Sequence, residues 1–212
     1  MSDDVIPGNA AHEAFEGGRR LPNERMRWLM LAIQHEMGSV GLPLVLRQAG
    51  LDRFVGRLPP PDRRPAPLPE DYAALLRAVR QYYGPGARGM LIRIGRECFR
   101  RERANRPAEF LLHRLALRLR PAPDRTEHVL RPLATRWARP GNHVAVERTP
   151  EALWLLDGTG DRTHAVAETA PCCWTAVGEI AEAVLWLAGT EPVVEETECR
   201  GAGAPACSFR IA

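Results

Sequence analysis

The chain contains no lysine. All 29 of its basic residues are arginine, set against 26 acidic residues for a formal net charge of +3. A balance this even excludes the strong positive field of a dedicated nucleic-acid binder. Exclusive use of arginine reads as a coding bias, so a single arginine carries little weight. No stretch approaches ~18 consecutive apolar residues, so no membrane span is expected. The opening MSDDVIPGNAAHEAFEGG is acidic and lacks an apolar run, which excludes a secretory signal. Cysteine is scarce and odd in number, at five. That suits a cytosolic, reducing compartment where structural disulfides are disfavoured. The six histidines never fall into H-x-x-x-H or H-E-x-x-H spacing, and no serine sits in G-x-S-x-G. Zinc-protease and hydrolase chemistry are thereby unsupported.

What is present is a chain of 212 residues, 45% of them hydrophobic, enough for one domain with a buried core. Residues 1–20 read as a disordered tail. Asn23 is a fitting N-cap for a helix with Met26, Leu29, Met30, Ile33 and Met37 on one face. Leu42–Ala49 and Leu51–Leu58 read as shorter helices around Gly50, and PPPDRRPAPLP over 59–69 as an extended linker. Helices are predicted over Glu70–Tyr83, Ala87–Arg101, Glu109–Leu119 and Thr126–Ala138. After Gly141 the pattern changes to two or three strands, with turns at Thr149-Pro150 and Asp157-Gly158. Cys173–Ala188 returns to helical spacing, and PVVEETEC with ACSFRI reads as a closing hairpin. This order predicts an α+β fold: a helical N-terminal half packed on an antiparallel sheet, with a C-terminal metal-binding hairpin.

Several local patterns have bland explanations. Gly84-Pro-Gly-Ala-Arg-Gly89 matches G-x-G-x-x-G, but a helix precedes it and Pro85 removes a backbone donor, so it reads as a helix–helix turn. Leu44–Leu58 has the outline of a helix-turn-helix, but its second half, LDRFVGRL, is too apolar for a groove. Cys98 beside Phe99 reads as a small buried hydrophobe.

The C-terminal third is different. Cys172-Cys173-Trp174, Glu195-Glu196-Thr197-Glu198-Cys199 and Cys207 bring soft thiol and hard carboxylate donors into one short region. Zinc accepts both in a tetrahedron. Gly201 and Gly203 let the loop between Cys199 and Cys207 turn tightly. Cys172 or Cys173 stands at a helix N-terminus, where a thiolate is favoured. Strand alternation places Glu195, Thr197 and Cys199 on one face, so Glu196 needs a twist or bulge to share a site with Cys199. On chemistry alone, a metal site and unligated cysteines both stand.

From Tyr72 to Ile211 the sequence resembles the 4-vinyl-reductase-type (hydrocarbon-binding) domain family. The resemblance rests on YYGPGARGMLIRIGRECF, PCCW, LWLAG and VEETECRGAGAPACSFRI. The family is related to the sensor domain of phenol-responsive activators, where three cysteines and a glutamate hold zinc. The resemblance implies a site of Cys173, Glu196, Cys199 and Cys207, with Arg200 and Arg210 near it. It also implies dimerisation through the N-terminal helices, for which Met26, Leu29 and Ile33 are suited, and these residues suit ordinary core burial equally well. Domain boundaries follow: a tail over 1–20, helices and linker over 21–69, and the ligand-binding domain over 70–212.

The expected function is a zinc-stabilised sensor or carrier of an apolar or aromatic small molecule, homodimeric, without nucleic-acid or membrane partners. Trp154, Leu156, Tyr82, Tyr83, Phe99 and His128 are the candidate ligand contacts. Binding is the better class than catalysis, since no flavin or nicotinamide site is evident. The alternatives are an accessory protein or reductase for the 4-vinyl group in bacteriochlorophyll synthesis, and a thiol redox switch on Cys172-Cys173. An iron–sulfur cluster is the chemical rival to zinc.

Overall fold

The computed structural model describes residues 20–118, 122–139, 142–163 and 167–212. The expected tail lies almost wholly outside these residues. Five helices come first: α1 (Asn23–Gln48), α2 (Pro69–Tyr83), α3 (Ala87–Asn105), α4 (Pro107–Arg118) and α5 (Ala122–Trp137). Strands β1 (Val144–Arg148) and β2 (Leu153–Asp157) follow, then α6 (Trp174–Ala188), β3 (Val194–Glu198) and β4 (Cys207–Ile211). The sheet order is β1-β2-β4-β3, and each neighbouring pair is antiparallel. The α+β expectation holds.

The N-terminal half departs from the sequence reading in three places. Helix α1 runs through both predicted segments and breaks at Gly38, whose φ of 78° lies in the left-handed region. Its length and mean hydropathy of 1.3 meet the composition of a membrane span. The break and the burial of its apolar side chains make it a core helix instead. Met26, Leu29 and Ile33 are fully buried within the chain, so they are not available for dimerisation. The predicted helix over Leu51–Leu58 shrinks to one 3-10 turn, Asp52–Phe54, because Gly56 takes a φ of 72° and Pro59 follows. The proline-rich segment is more than a linker. It pairs along the chain start, with the Leu21 N–H donating to the Pro67 carbonyl (2.8 Å) and the Ala66 N–H to that of Leu21 (3.1 Å).

Two hydrophobic clusters share α3. The first joins α1, α2 and the start of α3 through residues such as Met30, Leu75 and Ile94. The second joins Phe99 at the far end of α3 to α5, α6 and the inner sheet face, including Leu130, Ile180, Leu155 and Phe209. Helices α3 and α6 cross at paired glycines. A Cβ on Gly95 would stand 2.1 Å from the Thr175 carbonyl oxygen, and one on Gly178 would stand 2.1 Å from that of Ile92. Only backbone-on-backbone contact fits there, and it fixes the N-terminal turn of α6, where Cys173 sits.

Candidate metal centre

Four side chains from three elements converge at that turn. Cys173 is the residue before α6, Glu196 lies on β3, Cys199 follows β3, and Cys207 opens β4. One ligand atom from each lies within 4.8 Å of every other. The thiol sulfurs of Cys173 and Cys207 are 3.5 Å apart, and those of Cys173 and Cys199 are 3.9 Å apart. Metal–sulfur bonds of about 2.3 Å in a tetrahedron set sulfur–sulfur edges of about 3.8 Å. A disulfide needs about 2.05 Å. The observed spacing is therefore that of ligands around an ion, and equally of thiols sharing hydrogen bonds.

Glu196 separates these two readings. The register between β3 and β4 shifts between Glu196 and Glu198. This is the bulge that strand alternation demanded, and it turns Glu196 toward Cys199. The Cys173 backbone N–H donates to Glu196 Oε2 at 2.6 Å. The other oxygen, Oε1, is buried and has no hydrogen-bond partner among the described residues. An orphaned buried carboxylate oxygen is costly, and here it sits beside three buried sulfurs.

The loop is built to hold this arrangement. The Cys199 carbonyl accepts from the N–H groups of Ala202 (3.0 Å) and Ala204 (3.1 Å), and Gly203 at φ 92° completes the turn. The Arg200 backbone N–H donates to the Cys207 sulfur at 3.4 Å. Its guanidinium, expected near the site, instead donates to the carbonyls of Gly158 (2.7 Å) and Pro205 (3.2 Å). Arg210 is exposed. Cys172 is half-buried, 3.8 Å from the Cys199 sulfur, at the edge of the cluster.

The electrostatics are those of thiols and a carboxyl competing for protons in a buried site. Burial, and then the Cys199 thiolate, push the Glu196 carboxyl up to about 8. Hydrogen bonds from Cys172, Cys173 and Cys207 hold Cys199 far below an ordinary thiol. Hydrogen bonds that Cys173 donates to Cys172, Cys199 and Cys207 hold its own thiol well above it. The metal-free cluster thus concentrates its charge on Cys199 and keeps protons on its neighbours. A cation would displace those protons.

The expected ligand contacts do not come together. Along β2, Leu153, Leu155 and Asp157 point inward and buried, so Trp154 and Leu156 fall on the outer sheet face. Tyr82 is 53% exposed and stacks edge-on against Tyr83, ring centroids 5.1 Å apart. His128 lines a surface groove with His113. Only Phe99 reaches the cavity that lies between the two clusters. This cavity, of about 220 Å³, is walled by Trp28, Tyr72, Phe99 and Trp137 and by charged groups from α1, α3, α5 and α6. Sequence reasoning missed it because its charged lining looked like ordinary surface. The available signal was phase: Glu102 falls one helical turn after Cys98 and Phe99, on the buried face.

A buried ionic network adjoins the cavity. Arg162 donates to Asp157 (3.1 Å) and Glu179 (2.9 Å) and lies 4.1 Å above the Trp137 ring. Asp161, fully buried, accepts from Arg25 (2.9 Å) and pairs with Arg139. Asp157 stands opposite Cys207 in the β2–β4 register, so the network and the cysteine cluster share a strand pair.

No family model matches the sequence, and no curated protein matches it. Among solved structures, the chain is similar to an H-NOX protein from S. oneidensis in the Fe(II)NO ligation state. Identity is 12%, the TM-score is 0.51, and 87% of this chain and 97% of that chain are covered. It is also similar to a Cs H-NOX mutant with 4-cyano-L-phenylalanine at site 5. Here identity is 12%, the TM-score is 0.50, and coverage is 90% and 94%.

These findings correct the sequence reading. Neither of these structures is a 4-vinyl-reductase-type domain, and the fold they share with this chain is that of H-NOX, the heme-nitric oxide/oxygen binding domain. The zinc assignment, the zinc-stabilised sensor or carrier, the reductase alternative and the thiol switch rested on that resemblance or stood beside it, and all are withdrawn. The described residues that line the cavity between the two clusters do not fit a heme either. Among the described residues no histidine lines the cavity. Its other candidates for iron, Tyr72 and Cys98, are both pushed up, first by burial and then by Glu179, so neither is a ready anion. Its volume also falls below the roughly 300–1,000 Å³ of sites for drug-sized ligands, a class that a porphyrin exceeds.

Proposed function

We propose that this chain is a metal-binding domain on an H-NOX-like fold, in which Cys173, Glu196, Cys199 and Cys207 hold one thiophilic metal ion. The observation that carries this reading is that three buried cysteines and Glu196 bring one ligand atom each within 4.8 Å of every other, with Glu196 Oε1 buried and without a hydrogen-bond partner. Four protein ligands close the coordination sphere and leave no position for water, so the ion is structural. It ties the α6 N-terminus to the β3–β4 hairpin, and its binding energy becomes folding energy. No catalytic step is assigned to it.

The second part of the proposal is a small-molecule partner, seated in the cavity between the two hydrophobic clusters. The aromatic walls and the likeness to domains of a ligand-sensing fold support it. Buried free thiols favour a cytosolic, reducing setting. We also propose a homodimer. With Met26, Leu29 and Ile33 in the core, the exposed Leu111, Leu112 and Leu115 of α4 offer the apolar face for it.

Titration of the reduced, metal-free protein with Co²⁺ tests the metal site. Sulfur-to-metal charge-transfer absorption that saturates at one equivalent supports it. A titration without such absorption, or one unchanged in Cys207→Ser, contradicts it.

A further inference from the structure

The cluster at the α6 N-terminus brings a fourth thiol to the three of the metal centre. Cys173, Cys199 and Cys207 are buried, none more than 2% exposed. Cys172 is partly exposed, and it is not among the four residues whose ligand atoms lie within 4.8 Å of one another. Its sulfur nevertheless stands 3.8 Å from that of Cys199. Two metal–sulfur bonds of about 2.3 Å in a tetrahedron set an edge of about 3.8 Å. Cys199 therefore belongs to two such edges. One runs inward to Cys173 (3.9 Å), and the other runs outward to Cys172.

The chain holds Cys172 in that place. It lies between Pro171 and Cys173, just ahead of α6. Upstream, Glu168 is pinned twice. Its backbone N–H donates to the Gly201 carbonyl (2.7 Å), and its carboxylate pairs with Arg80 of α2 (2.5 Å). Gly201 belongs to the loop between Cys199 and Cys207. The approach to Cys172 is thus tied to the loop that follows its neighbouring sulfur.

A closed, four-ligand centre has to be filled and emptied. A hydrated ion does not reach thiols that are 2% exposed or less. Opening the hairpin at each exchange would forfeit the folding energy that the metal supplies. We infer that Cys172 and Cys199 form a transient metal station at the mouth of the centre, through which the ion enters and leaves. This inference rests on the metal reading above. An arriving divalent ion binds both sulfurs as thiolates, with water in its other positions. Bonds to Cys173, Cys207 and Glu196 then form, while the bond to Cys172 breaks and the waters leave. Each incoming group gives up any proton it carries as its bond forms. One proton returns to the departing Cys172 sulfur, the rest pass to water, and no electron is transferred. Release follows the same path in reverse, with a chelator or a thiol-bearing acceptor taking the ion at the Cys172 edge.

The test is kinetic, with Co²⁺ as the probe. Charge-transfer absorption on mixing Co²⁺ with the reduced, metal-free chain reads the loading rate, and its decay after EDTA is added to the loaded chain reads the release rate. Cys172→Ser is expected to slow both by about tenfold, equivalent to about 1.4 kcal/mol at the transition state, and to leave the Kd unchanged. Equal slowing in the two directions marks a station on the path, since a resident ligand would alter the Kd. Should that variant fail to fold, alkylation of the cobalt-loaded chain with iodoacetamide decides. It blocks the partly exposed Cys172 and should slow release by a similar factor. Rates unchanged by the substitution or the alkylation overturn the station and leave the metal centre standing. A weakened Kd in Cys172→Ser makes Cys172 a resident ligand and overturns the exchange role. No charge-transfer absorption in the unaltered chain overturns the centre and the station together.

Discussion

Replacing Gly95 by alanine adds one methyl group where α3 meets α6, and the structure sets its consequence. The new Cβ would lie 2.1 Å from the Thr175 carbonyl oxygen, 2.8 Å from its carbon and 2.9 Å from its Cα. All three are backbone atoms, so no rotamer change relieves the clash and the helices must part by about 1 Å. Overpacking of this kind costs about 1–3 kcal/mol, and a rigid contact belongs at the upper end. Alanine returns about 1 kcal/mol of helix propensity. The net loss is about 2 kcal/mol, or a melting temperature lower by about 4–8 °C for a chain of this length. Gly89→Ala on the same helix is the control. Its Cβ would meet only an arginine nitrogen at 3.9 Å, so it should be neutral or stabilising by up to about 1 kcal/mol. Thermal unfolding followed by circular dichroism reads both. Because Thr175 lies two residues from Cys173, Gly95→Ala should also weaken metal retention against a chelator. A Gly95→Ala protein that melts at or above the unaltered chain refutes the crossing geometry.

Further outcomes follow from the buried charges and the cluster. Arg162→Met strips Asp157 and Glu179 of their shared partner and should cost about 3–5 kcal/mol in urea unfolding; a change under 1 kcal/mol (~) argues against a desolvated network. Cys172→Ser should keep full metal content while Cys173→Ser loses it, and the reverse pattern in elemental analysis would reassign the ligand. Metal binding displaces protons from the Glu196 carboxyl and the neighbouring thiols, so the metal-loaded chain should gain stability over the chelated one as pH rises from 4.5 to about 8. Urea midpoints with and without chelator should diverge across that window, and a constant gap would argue against an ion held by Glu196.

Much of the fold was legible because its elements announce themselves locally. Periodic apolar residues marked α2, α3 and α6, and Thr149-Pro150 marked the turn between β1 and β2. The cysteine cluster was also legible, down to the bulge that Glu196 required. Other features were hidden because they depend on tertiary partners. Gly95 looks like a helix weakener until Thr175 is seen against it. Arg25, Glu102 and Glu179 attracted no reading, since sequence alone does not show that each has an opposite charge waiting inside. Trp154 and Leu156 were assigned to the interior face, yet Leu153 and Leu155 occupy it. Alternation gives two faces without saying which is buried. The family resemblance misled for a related reason: a short motif describes a local donor set, whereas the likeness to H-NOX concerns the path of the whole chain.

The central claim is that three thiols and one carboxylate hold a metal, and the carboxylate distinguishes it from a cluster of free thiols. Metal content of freshly purified Glu196→Gln, measured by elemental analysis beside the unaltered chain and Cys199→Ser, tests it most directly. The account predicts one metal ion per unaltered chain, its loss in Cys199→Ser, and a markedly weaker hold in Glu196→Gln that a mild chelator exposes. No metal in the unaltered chain, or retention in Glu196→Gln equal to it under the same chelator, would contradict the account.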